Sequence, residues 1–332
     1  MKERSAKNIL STNRWTKGAL WTTAAVLLIF IVLGIYFSRE PDIFWVNHSA
    51  DPESAVVGVP TTDTLIRVAE TLLDKQGGYL TNDKMPPSVF LDNIPSWELG
   101  VLNQVRDLGR VMRDDYTRSQ SQSKEDADVA KGAPQFFFDN DSWIFPATES
   151  EYRDGIDAFI DYRQRLIEGD QDTQFYARAD NLREWLSQVE KRLGSLTRRL
   201  GNSVVDNRIN DDLAGDPAAE ASGSQPDTFN VRTGWFQVDN IFFEARGTAW
   251  ALVHFFRAAE FDFAHVLADK NAEASVRQII RELEASLAGL SSPMILNGGG
   301  YGLFANHSLV MANYLARANA SVINLRELLD QG

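Results

Sequence analysis

Residues 19–37 read ALWTTAAVLLIFIVLGIYF. Only Thr22, Thr23 and Gly34 fall outside the apolar set, and no charge occurs from Gly18 to Ser38. As a helix rising ~1.5 Å per residue this stretch is about 28 Å long, close to the thickness of a bilayer's hydrocarbon. Trp15 and Trp21 lie toward one end and Tyr36 toward the other, where amphipathic rings favour the interface. A cleaved signal peptide needs a shorter apolar core and small residues at its end. This core ends Gly34-Ile35-Tyr36-Phe37-Ser38-Arg39-Glu40-Pro41, without such a site. The stretch predicts a retained transmembrane anchor over residues 18–38.

The flanks orient it. The tail, residues 1–17, carries Lys2, Arg4, Lys7, Arg14 and Lys17 against Glu3, whereas the other end offers Arg39, Glu40 and Asp42. The positive-inside rule places the tail in the cytoplasm and the rest of the chain outside it. In a bacterium that compartment is the periplasm, which suits a chain without cysteine. The formal charge of −13 over 332 residues is thus a sum of unlike parts. Five of 33 basic and one of 46 acidic residues precede residue 38, so the exported body holds 28 against 45, a net −17. That balance excludes nucleic acid as a partner and gives no attraction to anionic headgroups. Bilayer contact is expected through residues 18–38 and the adjoining Ile43-Phe44-Trp45-Val46.

Beyond a juxtamembrane segment (39–60), helical periodicity dominates. Residues 61–76 place Leu65, Val68, Leu72 and Leu73 on one face and stop at Gly77-Gly78. Ser96 reads as the cap of a second helix bearing Leu99, Leu102, Val105, Leu108 and Met112. Residues 119–134 read as a surface loop, and 149–168 and 180–200 as amphipathic helices. Residues 206–228 hold six acids, one arginine and two prolines, and predict a flexible acidic linker between a first helical half (61–205) and a second (229–332). Strand alternation is confined to the neighbourhood of Phe136-Phe137-Phe138. In the second half, residues 238–268 form one central helix with Ile241, Ala245, Ala249, Leu252, Phe256, Ala259 and Phe263 on a stripe. Residues 271–288 and 306–329 follow, the last with Met311, Leu315, Ala318, Val322, Leu325 and Leu329 at bundle-seam spacing. The fold class is all-α: an N-terminal transmembrane helix followed by a multi-helix periplasmic bundle in two halves.

Several segments carry a resemblance. They are Glu40-Pro41-Asp42, Gly77-Gly78-Tyr79-Leu80, Leu91-Asp92-Asn93-Ile94-Pro95-Ser96-Trp97-Glu98, Arg118-Ser119-Gln120-Ser121-Gln122-Ser123 and Phe175-Tyr176-Ala177-Arg178-Ala179-Asp180. Two more are Phe243-Glu244-Ala245-Arg246-Gly247 and the run from Ser292-Pro293-Met294 through Asn297-Gly298-Gly299-Gly300 to Ala305-Asn306-His307-Ser308. In these the chain resembles the uncharacterised single-span inner-membrane proteins of proteobacteria grouped as domain-of-unknown-function family 2333. The resemblance implies a bacterial inner membrane and supplies no activity, substrate or catalytic residue.

Candidate sites therefore come from the residues alone. On the central helix Arg246, Trp250, His254, Arg257, Phe261 and His265 fall within about 100° of one another. In an acidic body such a stripe suits an anionic protein or glycan of the envelope, or is a polar face with arginines paired to acids such as Glu260. Asn297-Gly298-Gly299-Gly300 before the last helix is an anion-binding loop or a tight turn. His307-Ser308 lacks the geometry of a base and nucleophile, and Asn306 or Ser308 reads as a cap. No cofactor is indicated, and no metal: His254 and His265 lie about 16 Å apart along the helix. Glu98 beside Trp97, and Glu244 beside Phe243, leave an envelope glycan hydrolase near the Gly-rich loop as the enzyme alternative. The leading reading is a binding, scaffold or accessory protein of the cell envelope.

Overall fold

The computed structural model describes residues 2–46, 56–119, 124–203, 206–209, 228–231, 233–234, 237–290, 292, 294–299 and 303–331. Helix α1 (Lys2–Phe37) contains the one described segment, Thr16–Phe37, long and apolar enough to cross a membrane. Two hydroxyls are turned back onto the helix backbone, Thr22 to the Gly18 carbonyl (3.1 Å) and Ser38, just past its end, to that of Gly34 (2.7 Å). No hydroxyl of these two residues therefore needs water.

Nine further helices make the body among the described residues: α2 (Val59–Asp74), α3 (Asn93–Val111), α4 (Ala127–Gln135), α5 (Thr148–Glu168), α6 (Ala179–Gly201), α7 (Val238–Asp262), α8 (Ala264–Asp269), α9 (Glu273–Ser286) and α10 (His307–Asp330). One hydrophobic core runs through them, from Leu65 and Trp97 to Phe256 and Leu325, so both sequence halves supply it. Helix α7 is its axis and is buried nearly all round, with α2, α3 and α9 against it; α10 packs on α6 and α9. Both apolar stripes read from the sequence, on α7 and α10, face this core, Ile241 alone being half-exposed.

The α3–α7 seam needs glycine. A Cβ on Gly100 would lie 2.1 Å from the Glu244 carbonyl oxygen, and one on Gly247 2.0 Å from that of Trp97. The two backbones touch, and any larger side chain would wedge them apart.

Four sequence expectations are corrected. Helix α3 begins at Asn93, so Ser96 is not its cap; it lies inside the first turn and donates to the Asp92 carbonyl (2.8 Å). Residues 127–135 are helix α4 instead of loop. The Asp126 carboxylate accepts from the amides of Asp128 and Val129, and Gly132 lets α4 approach Gly155 of α5. The central helix breaks at Phe263, whose backbone leaves the helical region (φ −103°, ψ 17°); beside the break the Asp262 carboxylate accepts the amides of Gly58 (2.6 Å) and Thr61 (2.8 Å), capping α2 from outside. Strand pairing occurs not at Phe136-Phe137-Phe138, which turn out of α4, but as an antiparallel pair, β1 (Asp206–Ile209) with β2 (Thr228–Val231). Residues 206–209 and 228 of the expected acidic linker (206–228) are therefore strand, and its residues 210–227 lie outside the described residues.

Candidate functional site

The basic and aromatic stripe of α7 is occupied by the chain itself. Residues 39–46, leaving α1, run along it without helix or strand. The buried Arg246 guanidinium binds both oxygens of Glu40 (2.7–3.0 Å) and also donates to the carbonyls of Ser286, Leu287 and Ala288 at the end of α9. Four residues on, Trp250 Nε1 donates to the Asp42 carbonyl (3.3 Å). Another turn on, the Phe44 amide donates to His254 Nε2 (3.1 Å) and the two rings stack 3.8 Å apart. Arg257 donates to the Phe44 carbonyl (3.2 Å) and pairs with Glu284 (2.6 Å), not with Glu260, which faces Arg277. From α2, Arg67 lies over the Phe44 ring and donates to the Trp45 carbonyl. Helical spacing on one side matches the residue spacing of an extended strand on the other, which is why every second residue, 40, 42 and 44, finds a partner.

Hydrogen bonding fixes the imidazole's tautomer. Nε2 accepts from Phe44, so Nδ1 carries the proton and donates to the Trp250 carbonyl (2.7 Å). Burial, with Arg257 and Arg67 close by, pushes His254 down to about 3 and keeps it neutral. Of the segment 43–46 expected at the bilayer, Phe44 turns inward onto this site and Val46 is buried, while Trp45 stays exposed.

Glu98 is sealed in the core with Lys75. It also accepts the amides of Leu80 and Thr81 (2.8 Å each) and the Thr81 hydroxyl. Lys75 donates in turn to the Gly78 carbonyl. Burial pushes the Glu98 carboxyl up and Lys75 opposes it. Its work is to tie the Gly77-Gly78 turn to α3, and Trp97 beside it packs on Trp250 at 5.2 Å.

Glu244 pairs with Arg199 (2.6 Å) at the edge of a polar cavity of about 340 Å³ between α3, α6 and α7, which Arg192 and its partner Asp107 also line. His307 lines a different cavity of about 230 Å³, with Phe242, Arg246 and Tyr314. Glu98 lines neither, so the structure does not bring Glu98, Glu244 and His307 into one cleft.

The Gly-rich loop is the arm of a short hairpin. Asn297 bridges Asn306, and a Cβ on Gly298 would lie 2.4 Å from the Phe304 carbonyl oxygen. The Leu296 amide donates to His307 Nδ1 (3.1 Å), Ser308 donates to Asn297 (2.7 Å), and Asn306 caps α10 through the Leu309 amide (2.9 Å). Gly299 has open space around it, and Gly300 lies outside the described residues.

Sequence reading did not single out the receiving side of the α7 stripe: Glu40, Asp42, Phe44 and Arg67. The usable signal was an acid and a proline directly after the anchor, matched in charge and spacing to the arginine and aromatics of α7.

Comparison with curated proteins and with solved structures returns no match. One family model, described as an uncharacterized protein conserved in bacteria (DUF2333), matches residues 9–332. The match takes in most of α1, the segment fastened to α7 and the whole helical body, and on that extent the chain belongs to the DUF2333 family of bacterial proteins.

Proposed function

We propose that this is a single-span inner-membrane protein whose basic tail faces the cytoplasm and whose acidic helical body lies in the periplasm. There it serves as a binding, scaffold or accessory subunit of the cell envelope, with a protein or glycan partner. The observation that carries this reading is the fastening of residues 40–44 onto Arg246, Trp250 and His254. The most reactive-looking groups of the body are spent on joining it to its anchor, and Glu98 and Glu244 are held in ion pairs. Five basic residues before the span, against two acids and one arginine just after it, support the orientation.

Two experiments test it. A C-terminal alkaline phosphatase fusion is expected to be active; an inactive fusion of an intact, well-expressed protein overturns the periplasmic assignment. Photo-crosslinking in cells from the surface of α6 and α10 is expected to trap an envelope component. Glycan cleavage by the purified protein that is abolished by Glu244→Gln would overturn the non-enzymatic reading.

A further inference from the structure

The end of the body where α1 arrives carries the apolar tips of three loops. Leu91 faces Gly34 of the anchor, where an added Cβ would lie 3.8 Å from its Cδ2, and an apolar groove of about 620 Å³ opens between α1 and residues 87–91. Leu27, Phe30 and Ile31 line it from the anchor and Phe90 from the body. Leu27 lies eleven residues before Ser38, so the groove reaches about 16 Å down the span. Phe90 is 77 % exposed, and Met85 and Val89 beside it are exposed too.

A second tip lies at the same end. Gly77 packs on Phe37, the last residue of α1, and the segment after it holds the loop 139–148. Tyr79 donates to the Asn140 carbonyl (3.0 Å), and Asn82 to the Ser142 carbonyl (2.9 Å). That loop presents Trp143, Ile144 and Phe145, the last 94 % exposed. The third is the hairpin before α10, where Leu303 is fully exposed; its His307 meets Phe242, the neighbour of the groove residue Phe243.

We infer that this face docks on the bilayer that holds the anchor, with Phe90 and Phe145 seated in the hydrocarbon of the leaflet the chain emerges from. The inference rests on the reading of α1 as a retained span. The occupant is lipid because the groove is continuous with the charge-free anchor. A surface opposite Leu27, Phe30 and Ile31 shares whatever medium those residues occupy. Burial of three aromatic or aliphatic tips supplies the attraction, which an acidic body cannot obtain from charge. Bilayer contact therefore extends beyond the anchor and the exposed Ile43 and Trp45 that follow it.

The absence of cysteine permits a clean test. Single-cysteine variants Phe90→Cys, Phe145→Cys, Ile29→Cys in the anchor and Asp172→Cys in the exposed turn after α5 carry a nitroxide. The full chain is reconstituted in phosphatidylethanolamine/phosphatidylglycerol vesicles. Relaxation by oxygen, which enters hydrocarbon, is compared with relaxation by a water-soluble nickel chelate. Positions 90 and 145 are expected to match position 29, with an oxygen-to-nickel ratio several-fold above position 172. A ratio at 90 and 145 equal to that at 172, with 29 in lipid, overturns the docking and leaves the anchor standing. Low access to both reagents at 90 and 145 means protein covers the face, and also overturns it. An aqueous position 29 overturns the retained anchor and the docking together.

Discussion

His254 and Phe44, 210 residues apart in sequence, are joined twice: the Phe44 amide donates to the imidazole at 3.1 Å and the rings stack at 3.8 Å. An imidazolium has no lone pair to receive that amide, so protonation and fastening exclude each other. His254 sits at about 3 in the folded protein, whereas an unfolded histidine takes its proton near ~6.5. The unfolded state binds more protons between these values. His254 therefore contributes fully above about pH 6.5, and its contribution falls by ~1.4 kcal/mol per unit as pH drops toward 3. Asp262, pushed up to about 6 by burial, slopes the other way: its contribution is present at low pH and lost as pH rises through 6. The readout must then be a difference. The stability advantage of the wild type over His254→Gln is expected to shrink along that slope below pH 6.5 in denaturant titrations. An advantage unchanged between pH 4 and 7 would refute the neutral, accepting imidazole.

Arg246 serves four acceptor groups at once, the Glu40 carboxylate and three carbonyls at the end of α9. Arg246→Ala is expected to cost about 3–5 kcal/mol, because it leaves a largely buried carboxylate and carbonyls without donors. Glu40→Ala leaves the arginine its carbonyls and is expected to cost about 1–3 kcal/mol. Chemical denaturation in detergent checks the order, and equal losses would show that Glu40 is the only partner that matters.

The sequence carried the helices, the apolar helix of membrane-spanning length and both core stripes because each is written in a local pattern. What it hid was written across distance. Nothing near Arg246 says that its acid lies at residue 40, and Asp262 looks like one more polar residue on a long helix until α2's free amides are placed beside it. Glu98 shows the same limit: a glutamate beside a tryptophan fits a general acid and a core ion pair equally well until Lys75 is found. Helix α4 was missed for a different reason. Its nine residues are rich in small side chains, so it has almost no apolar stripe to read.

Gly100 and Gly247 are the narrowest points between α3 and α7. Gly100→Ala or Gly247→Ala is expected to cost about 3 kcal/mol or more, since backbone cannot step aside as a side chain can. Gly194 of α6 is the contrast. Its added methyl would meet only the Asn319 amide at 3.7 Å, so Gly194→Ala is expected to stabilise by about 0.5–1 kcal/mol through helix propensity. Thermal unfolding of the three variants decides it, and a stable Gly247→Ala protein would contradict the packing.

Lys75 and Glu98 are both buried, so removing one strands the other. Lys75→Met is expected to lose about 3–5 kcal/mol, and the double variant Lys75→Met with Glu98→Leu to regain part of it. A double-mutant cycle with no coupling would mean that the pair is not formed.

The stretch from Arg39 to Val46 can also be considered as a length. Eight free residues would give the body a leash of about 27 Å, enough to swing toward targets at many heights. Fastened to α7, the same residues allow no swing. The body holds a set angle and elevation relative to α1, so whatever it meets must come to that position instead of being fished for.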